Sequence, residues 1–321
     1  MERIAVLTSG GDAPGMNAAI RAVVRCGIEA GMTVYGIERG YEGLIDGDFV
    51  EMDRRYVGDI LQRGGTILKT ARSSRFMTEE GIARAVRNLE TFRIEALVVI
   101  GGDGSFAGAL KLAEQHGIAV MGIPATIDND LGYTDITIGF DTAVNTVLDA
   151  ITRIRDTSSS HERTTVVEVM GRDCGDIALY SGMAGGAEIV LLPEIQTDMS
   201  EVCRKVLESV NSGKKHSVIV RAEGFYLSSR EVVDIIRERT GRDVKLVVLS
   251  YIQRGGAPSF RDRMFATECG VKTIELLQSG IVNKAMGMSS GAVMGFDLKE
   301  ALQVETVFQQ ELYDSLDVLS K

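Results

Sequence analysis

The chain has 321 residues, 45% of them hydrophobic and 25% charged, and a formal net charge of −10. That length exceeds one small core and suffices for two lobes, with the composition of a soluble globular protein. The acidic balance excludes a general nucleic-acid or anionic-membrane surface, and no apolar run approaches the about 20 residues that span a bilayer.

Short apolar runs recur along the chain at 4–7, 34–37, 96–100, 119–123, 165–169, 189–192, 217–220 and 246–249. They are rich in Val and Ile and apolar on both faces, as buried parallel strands are. Helical periodicity occupies 16–30, 79–91, 105–115, 142–157, 201–210 and 261–277. This alternation predicts an α/β protein with doubly wound sheets. Four prolines leave the helices mostly unbroken, and no low-complexity linker occurs, so short crossings should join the lobes. A four-residue motif, QRGG, stands at 62–65 and again at 253–256, a recurrence short enough to arise by chance.

Four cysteines, Cys26, Cys174, Cys203 and Cys269, lie far apart with no CxxC pair, so buried free thiols are expected rather than a disulfide framework or a zinc site. The N-terminus has no signal-peptide pattern, and a cytoplasmic protein is expected. Only three histidines occur, which favours a carboxylate as the acid–base group. Arginine dominates the cations, 25 Arg against 10 Lys, a bias toward bidentate phosphate recognition.

Two glycine-rich loops follow predicted strands and open predicted helices: 7–12 (LTSGGD) and 98–105 (VVIGGDGS). Helix N-termini at the carboxyl ends of strands suit phosphate oxygens. Neither loop is a Walker A or a GxGxxG sequence. Asp103 within the second loop would repel a phosphate unless a cation lay between them. Mg²⁺ makes that bridge, so Asp103 reads as a Mg²⁺ contact, its alternative role being a helix-capping carboxylate.

A third strand end carries 124–130 (PATIDND). Asp128 and Asp130 share one loop, where one carboxylate can help hold a metal and the other can take a proton from a sugar hydroxyl. The same spacing suits an Asx-rich turn, and spacing alone does not separate the two. Arginines at loops and strand ends, Arg72, Arg75, Arg163, Arg172 and Arg254, together suggest a small polyanionic ligand. Arg21 and Arg25, four apart on the first helix, with Arg54 and 214–216 (KKH), suggest a second anion site or a solvated face.

The segments 8–17 (TSGGDAPGMN), 101–105 (GGDGS), 126–130 (TIDND), 167–172 (VEVMGR) and 252–256 (IQRGG) resemble bacterial-type ATP-dependent 6-phosphofructokinases, and the resemblance runs over essentially the whole chain. It implies two doubly wound lobes, each α/β/α, with the active site in the cleft between them. The nucleotide-binding lobe would be 1–138 plus 256–304, and the sugar-phosphate lobe 139–255 plus 305–321. Gly11, Arg72, Ser73, Gly102, Asp103, Gly104 and Ser105 would bind ATP, with Asp103 serving Mg²⁺. Asp128 would be the general base on the 1-hydroxyl of fructose 6-phosphate, giving fructose 1,6-bisphosphate. Gly11, Arg72, Thr126 and Arg172 would complete the catalytic group. Thr126, Ile127, Asp128, Met170, Gly171, Arg172 and Glu223 would hold the sugar, with Arg163, Lys245, Tyr251, Ile252, Gln253 and Arg254 reaching it from a neighbour in a homotetramer. Arg21, Arg25, Arg54, Asp59, Arg155, Gly186, Glu188, Lys214, Lys215 and His216 fall where the family binds ADP or phosphoenolpyruvate.

Gly104 and Ala125 stand where pyrophosphate-using relatives carry Asp and Lys, which favours ATP. Lys245, Tyr251 and Ser212 stand where the family usually has Arg, His and an effector-site Arg. Lys keeps the charge without the bidentate fork, and Tyr cannot be a cation at neutral pH. These departures leave room for a catalytically weak regulatory paralogue, or for a kinase using pyrophosphate or another sugar phosphate. A nucleotide-binding oxidoreductase is disfavoured by the missing GxGxxG.

Overall fold

A computed structural model of the chain describes residues 1–213 and 216–319. The elements in chain order are β1 (Arg3–Thr8), α1 (Met16–Glu29), β2 (Thr33–Ile37), α2 (Gly40–Asp46), β3 (Phe49–Met52), α3 (Glu79–Thr91), β4 (Ala96–Gly101), α4 (Asp103–His116), β5 (Ala119–Thr126) and β6 (Ile138–Gly139). There follow α5 (Phe140–His161), β7 (Thr164–Val169), α6 (Asp176–Ala184), β8 (Ile189–Leu191), α7 (Met199–Asn211), β9 (Ser217–Ala222), α8 (Ser229–Thr240) and β10 (Val244–Val248). The chain ends with α9 (Phe260–Gln278), β11 (Lys284–Ser289), β12 (Ala292–Asp297), α10 (Leu298–Ala301) and α11 (Gln310–Leu319).

Two compact units result. The first is Met1–Thr142 with Arg254–Thr306, and the second is Ala143–Gln253 with Val307–Lys321. The first holds an eight-stranded sheet in the order β12-β11-β5-β4-β1-β2-β3, with β6 alongside β5. Its centre is parallel, because β1, β2, β4, β5 and β11 join through helical crossovers; the edges β3 and β12 run antiparallel. Every residue of β4 is buried, as the uninterrupted run at 96–100 required. The second unit holds a wholly parallel sheet, β10-β7-β9-β8. Its apolar core includes Val166, Leu191, Val206, Ile219 and Ile236.

All eight predicted strands and all six predicted helices form, with ends shifted by a few residues. One shift matters: β10 begins at Val244, so Lys245 lies inside a strand, paired with Thr165, rather than in the loop before it. The elements not anticipated are β3, β6, β11, β12, α2, α6, α8, α10 and α11. The four cysteines are free thiols, with Cys203 and Cys269 buried and Cys26 and Cys174 half-buried. No helix among the described residues is long and apolar enough to cross a membrane.

Strand order sets the position of any ligand in the first unit. The chain winds outward from β1 to β2 and β3, then returns to β4 on the other side of β1. At such a reversal the loops leaving the two central strands diverge and open a crevice at their carboxyl ends. Those loops are the two GGD segments.

Candidate active site

The two GGD loops are locked together at the backbone. Ser9 N–H donates to the Ile100 carbonyl at 3.0 Å. A Cβ on Gly101 would stand 2.6 Å from both the Ser9 carbonyl oxygen and Ser105 Oγ, so only glycine lets the loops approach this closely. Thr70 Oγ1 donates to the Gly10 carbonyl at 2.8 Å, and Thr8 Oγ1 to the Lys69 carbonyl at 2.7 Å, tying segment 66–70 to the first loop. Asn17, fully buried, donates to the carbonyls of Arg63 and Gly64 and accepts from Ile67 N–H at 2.8 Å. Arg254 Nη1 donates to the Asp12 carbonyl at 3.1 Å, and a Cβ on Gly11 would meet that guanidinium at 2.5 Å.

α4 opens directly from the second loop. Gly102 precedes it without a side-chain cap, and Asp103 is the acidic residue of its first turn. By contrast, Thr78 caps α3, Asp198 caps α7 and Ser228 closes a capping box on α8. Gly104 faces open space: no atom lies within 4 Å of where its Cβ would be. Next to this turn, Tyr41 stacks on Phe76 with ring centroids 4.0 Å apart and donates its hydroxyl to the Ser105 carbonyl at 2.6 Å. Burial pushes the Tyr41 phenol well up, so it remains a donor. Ser73 donates to Glu42 and accepts from Phe76 N–H, while Arg72 is exposed.

The acidic segment leaves β5 beside this turn. The nearest atom to a Cβ on Gly102 would be Thr126 Cβ, at 3.6 Å. Asp128 is 1% exposed, and its backbone N–H donates to Thr126 Oγ1 at 3.1 Å. The loop is closed by Asn129: its Oδ1 accepts Thr137 N–H at 3.1 Å, and its φ of 55° is a left-handed turn that asparagine tolerates. Thr137 Oγ1 donates to the Thr126 carbonyl at 2.7 Å, and β6 then pairs Gly139 with Thr126. Asp130 is half-buried in the same loop. The loop is thus tied through Thr126 Oγ1 at its start and Asn129 Oδ1 at its centre, and within it lies the buried Asp128 carboxylate.

In the second unit, loop 170–172 leaves the central strand β7 and is gripped by two side chains. Glu223 Oε1 accepts the N–H groups of Gly171 and Arg172 at 3.2 and 2.9 Å. Gln253, fully buried, accepts Met170 N–H at 3.1 Å and donates to the Ser250 carbonyl at 3.0 Å. Gly171 and Arg172 take left-handed φ values of 137° and 52°, a tight turn that aims successive amides one way. The neighbouring turn is stapled by Arg221, which donates to the carbonyls of Phe225 and Leu227 and pairs with Glu168 at 3.2 Å. Burial draws that guanidinium below its ordinary range, while Glu168 and Glu223 hold it up.

Arg163 and Lys245 converge on Asp243, at 2.8 and 3.0 Å. Lys245, then Arg163, hold the Asp243 carboxyl below the usual carboxylate range. Tyr251 and Ile252 are 77% and 58% exposed. Arg155 donates to the carbonyls of Gly185 and Gly186 and pairs with Glu188 at 3.3 Å, so three expected effector residues of this unit do assemble. His216 is half-buried; Lys214 and Lys215 lie outside the described residues. In the first unit, Arg21 and Arg25 are half-buried on α1, Arg54 pairs with Glu29, and Asp59 sits in a left-handed turn at φ 52°. Ser212 ends α7 and donates to the Ser209 carbonyl at 2.8 Å.

A phosphofructokinase family model matches residues 3–277. A Clostridium botulinum (strain Hall) protein named ATP-dependent 6-phosphofructokinase is 54% identical over 321 residues, 100% of both chains. The chain belongs to the phosphofructokinase family. A Clostridium acetobutylicum protein of the same name is 55% identical over 321 residues, again 100% of both chains. Among solved structures, phosphofructokinase from Saccharomyces cerevisiae superposes with a TM-score of 0.91 at 32% identity, covering 98% of this chain and 50% of the yeast chain. This phosphofructokinase-family chain therefore spans half the length of that relative. A pyrophosphate-dependent phosphofructokinase from Marinobacter aquaeolei gives 0.86 at 22% identity, covering 99% and 91%, a likeness of fold alone.

Sequence reasoning missed several residues that hold the phosphofructokinase motifs in place: Asn17, Tyr41, Glu42, Thr70, Thr137, Arg221 and Asp262. Asn17 lies inside the TSGGDAPGMN motif but was given no role of its own. Asp262 had a local signal, the Ser-x-x-Asp pattern at 259–262 that marks a helix start.

Proposed function

We propose that the chain is an ATP-dependent 6-phosphofructokinase, transferring the γ-phosphoryl group of ATP to the 1-hydroxyl of D-fructose 6-phosphate and releasing ADP. Fructose 1,6-bisphosphate is the product, and the reaction is the committing step of glycolysis. The observation that carries this reading is the junction of β1, β4 and β5, where two glycine-cradled loops and a buried carboxylate leave adjacent strand ends.

Asp128 takes the proton of the 1-hydroxyl as that oxygen bonds to the γ-phosphorus and the bond to the β–γ bridging oxygen breaks. Thr126 and Arg172 steady the transferring group. Gly11, Arg72, Ser73 and residues 102–105 cradle the nucleotide, whose phosphates meet backbone N–H groups of the uncapped first turn of α4. No cluster of three metal-binding side chains occurs among the described residues. Asp103, exposed in that turn, fits an ion that keeps its other coordination for phosphate and water, as Mg²⁺ does. When bound, Mg²⁺ supplies charge neutralisation between carboxylate and phosphates. Met170, Gly171, Arg172 and Glu223 hold the sugar phosphate, with Ile127 beside Asp128. Arg163, Lys245, Tyr251 and Ile252 serve a neighbouring subunit of a cytoplasmic homotetramer, whereas the buried Gln253 and the Arg254 held at Asp12 support their own chain's loops, and Arg155, Gly186 and Glu188 belong to a site for ADP or phosphoenolpyruvate.

A coupled assay with ATP or pyrophosphate against several sugar phosphates tests the reading. Turnover with ATP and fructose 6-phosphate is expected. Equal turnover with pyrophosphate would overturn the donor, and none with any sugar phosphate would favour a regulatory paralogue.

Donor choice gives a sharper prediction. Gly104→Asp meets no steric obstacle. It places a second carboxylate in the phosphate-facing turn, so kcat/KM for ATP falls about 100-fold while the melting temperature holds. An unchanged kcat/KM in a steady-state assay would remove Gly104 from the nucleotide site. The sugar side gives another. Restoring the fork and the imidazole with Lys245→Arg and Tyr251→His lowers KM for fructose 6-phosphate about tenfold and leaves kcat alone. The same dependence in both enzymes would separate these positions from the sugar phosphate.

A further inference from the structure

Asp262 is a fully buried carboxylate in the first turn of α9, and the reaction proposed above gives it no role. It accepts three hydrogen bonds from one short stretch: Gly139 N–H at 2.9 Å, Thr142 N–H at 2.8 Å and Thr142 Oγ1–H at 2.5 Å. Thr142 Oγ1 in turn accepts Ser259 N–H at 2.9 Å, so the starts of α5 and α9 interlock.

The held stretch is the back of the acidic loop. Gly139 is the strand partner of Thr126. Its φ of 105° and the closeness of Ala13 Cβ, 2.7 Å from where its own Cβ would be, leave no latitude for a shift. The same absent Cβ would stand 3.2 Å from Ile127, the residue between Thr126 and Asp128. Thr126 Oγ1 then accepts the Asp128 N–H. A continuous path therefore runs from the Asp262 carboxylate through Gly139 to Thr126 and Asp128.

We propose that Asp262 is the positioning residue for Asp128 and Thr126, fixing β6 and the start of α5 so that the general base is held at its working place. This rests on the reading of Asp128 as the base. Three donors converge on two oxygens, so a proton on either oxygen sets an O–H against an N–H or displaces it. Burial pushes the Asp262 carboxyl up to about 6, against the pull of Thr142 and Gly139. Asp141 on α5 is the charged neighbour that raises it further, and Asp141 itself lies 3.8 Å from Arg261. From β6 and the start of α1, Gly139 and Gly15 lie against it, and neither brings a charge.

The test is the pH dependence of kcat for four proteins. The wild type should lose kcat as pH falls through about 6. Thr142→Val removes one donor to the ionised form, so its acid limb moves to higher pH, and Thr142→Ser leaves the limb in place. Asp262→Asn lowers kcat about tenfold at pH 8, flattens the limb and keeps KM for ATP within twofold. Wild-type kcat and an unmoved limb in both Asp262→Asn and Thr142→Val would overturn the proposal. If Asp262→Asn does not fold, the Thr142 pair decides alone. A wild type inactive with fructose 6-phosphate would instead fail the functional reading, so the two failures are distinct.

Discussion

Asparagine in place of Asp128 lowers kcat about 10³-fold and leaves the dissociation constant for ATP within a factor of two. The side chains have the same shape, and the N–H of residue 128 still donates to Thr126 Oγ1, so the loop keeps its form. What is lost is the basic oxygen, because a carboxamide cannot take the hydroxyl proton. At 1% exposure the position admits little bulk water to substitute as base. Steady-state kinetics with calorimetric titration of ATP checks both halves. Turnover above about a tenth of wild type would remove Asp128 from the proton transfer.

Alanine in place of Gly64 destabilises the protein by about 3 kcal/mol and abolishes most activity with it. A Cβ there would land on the Gly256 carbonyl oxygen, a backbone atom that cannot swing aside. Neither loop can yield easily. Asn17 holds the Arg63 and Gly64 carbonyls, and Gly65 and Gly256 already occupy φ values of 63° and 92°. Denaturant unfolding of Gly64→Ala against a Gly104→Ala control, which fills open space, measures the cost. Equal midpoints would show that the two loops separate without penalty.

That contact also marks what the sequence could and could not disclose. The recurrence of QRGG at 62–65 and 253–256 was legible, but nothing local distinguished it from chance; its glycines meet across a long loop of chain. The strands bearing the GGD and TIDND motifs were legible because they are apolar on both faces and end in glycine or an acidic loop. β11 and β12 were not, since KAMGMS and AVMGFD are diluted by Gly, Met and Ser and are strands only because β5 offers an edge. α8 was readable from its Ser228–Glu231 capping box and went unread. Asp128 could be picked out as a carboxylate at a strand end, but its separation from an Asx turn needed the family resemblance. Asp262 and Glu223 grip amides 123 and 52 residues away, a relation that no window along the chain contains.

The order of elements has a consequence for the nascent chain. β5 pairs with β11 at Met121 and Gly122, and α1 packs on α9, where Gly270 gives way to Ala19 and Ala22. Both partners belong to the stretch Arg254–Thr306, translated only after the whole insertion Ala143–Gln253. At ribosomal speeds of roughly 5–20 residues per second, an emerging edge of β5 and an apolar flank of α1 wait roughly ten to several tens of seconds for cover. Chaperone capture, early proteolysis and strand-edge association should all concentrate in that interval, before the first sheet is closed by its own late strands.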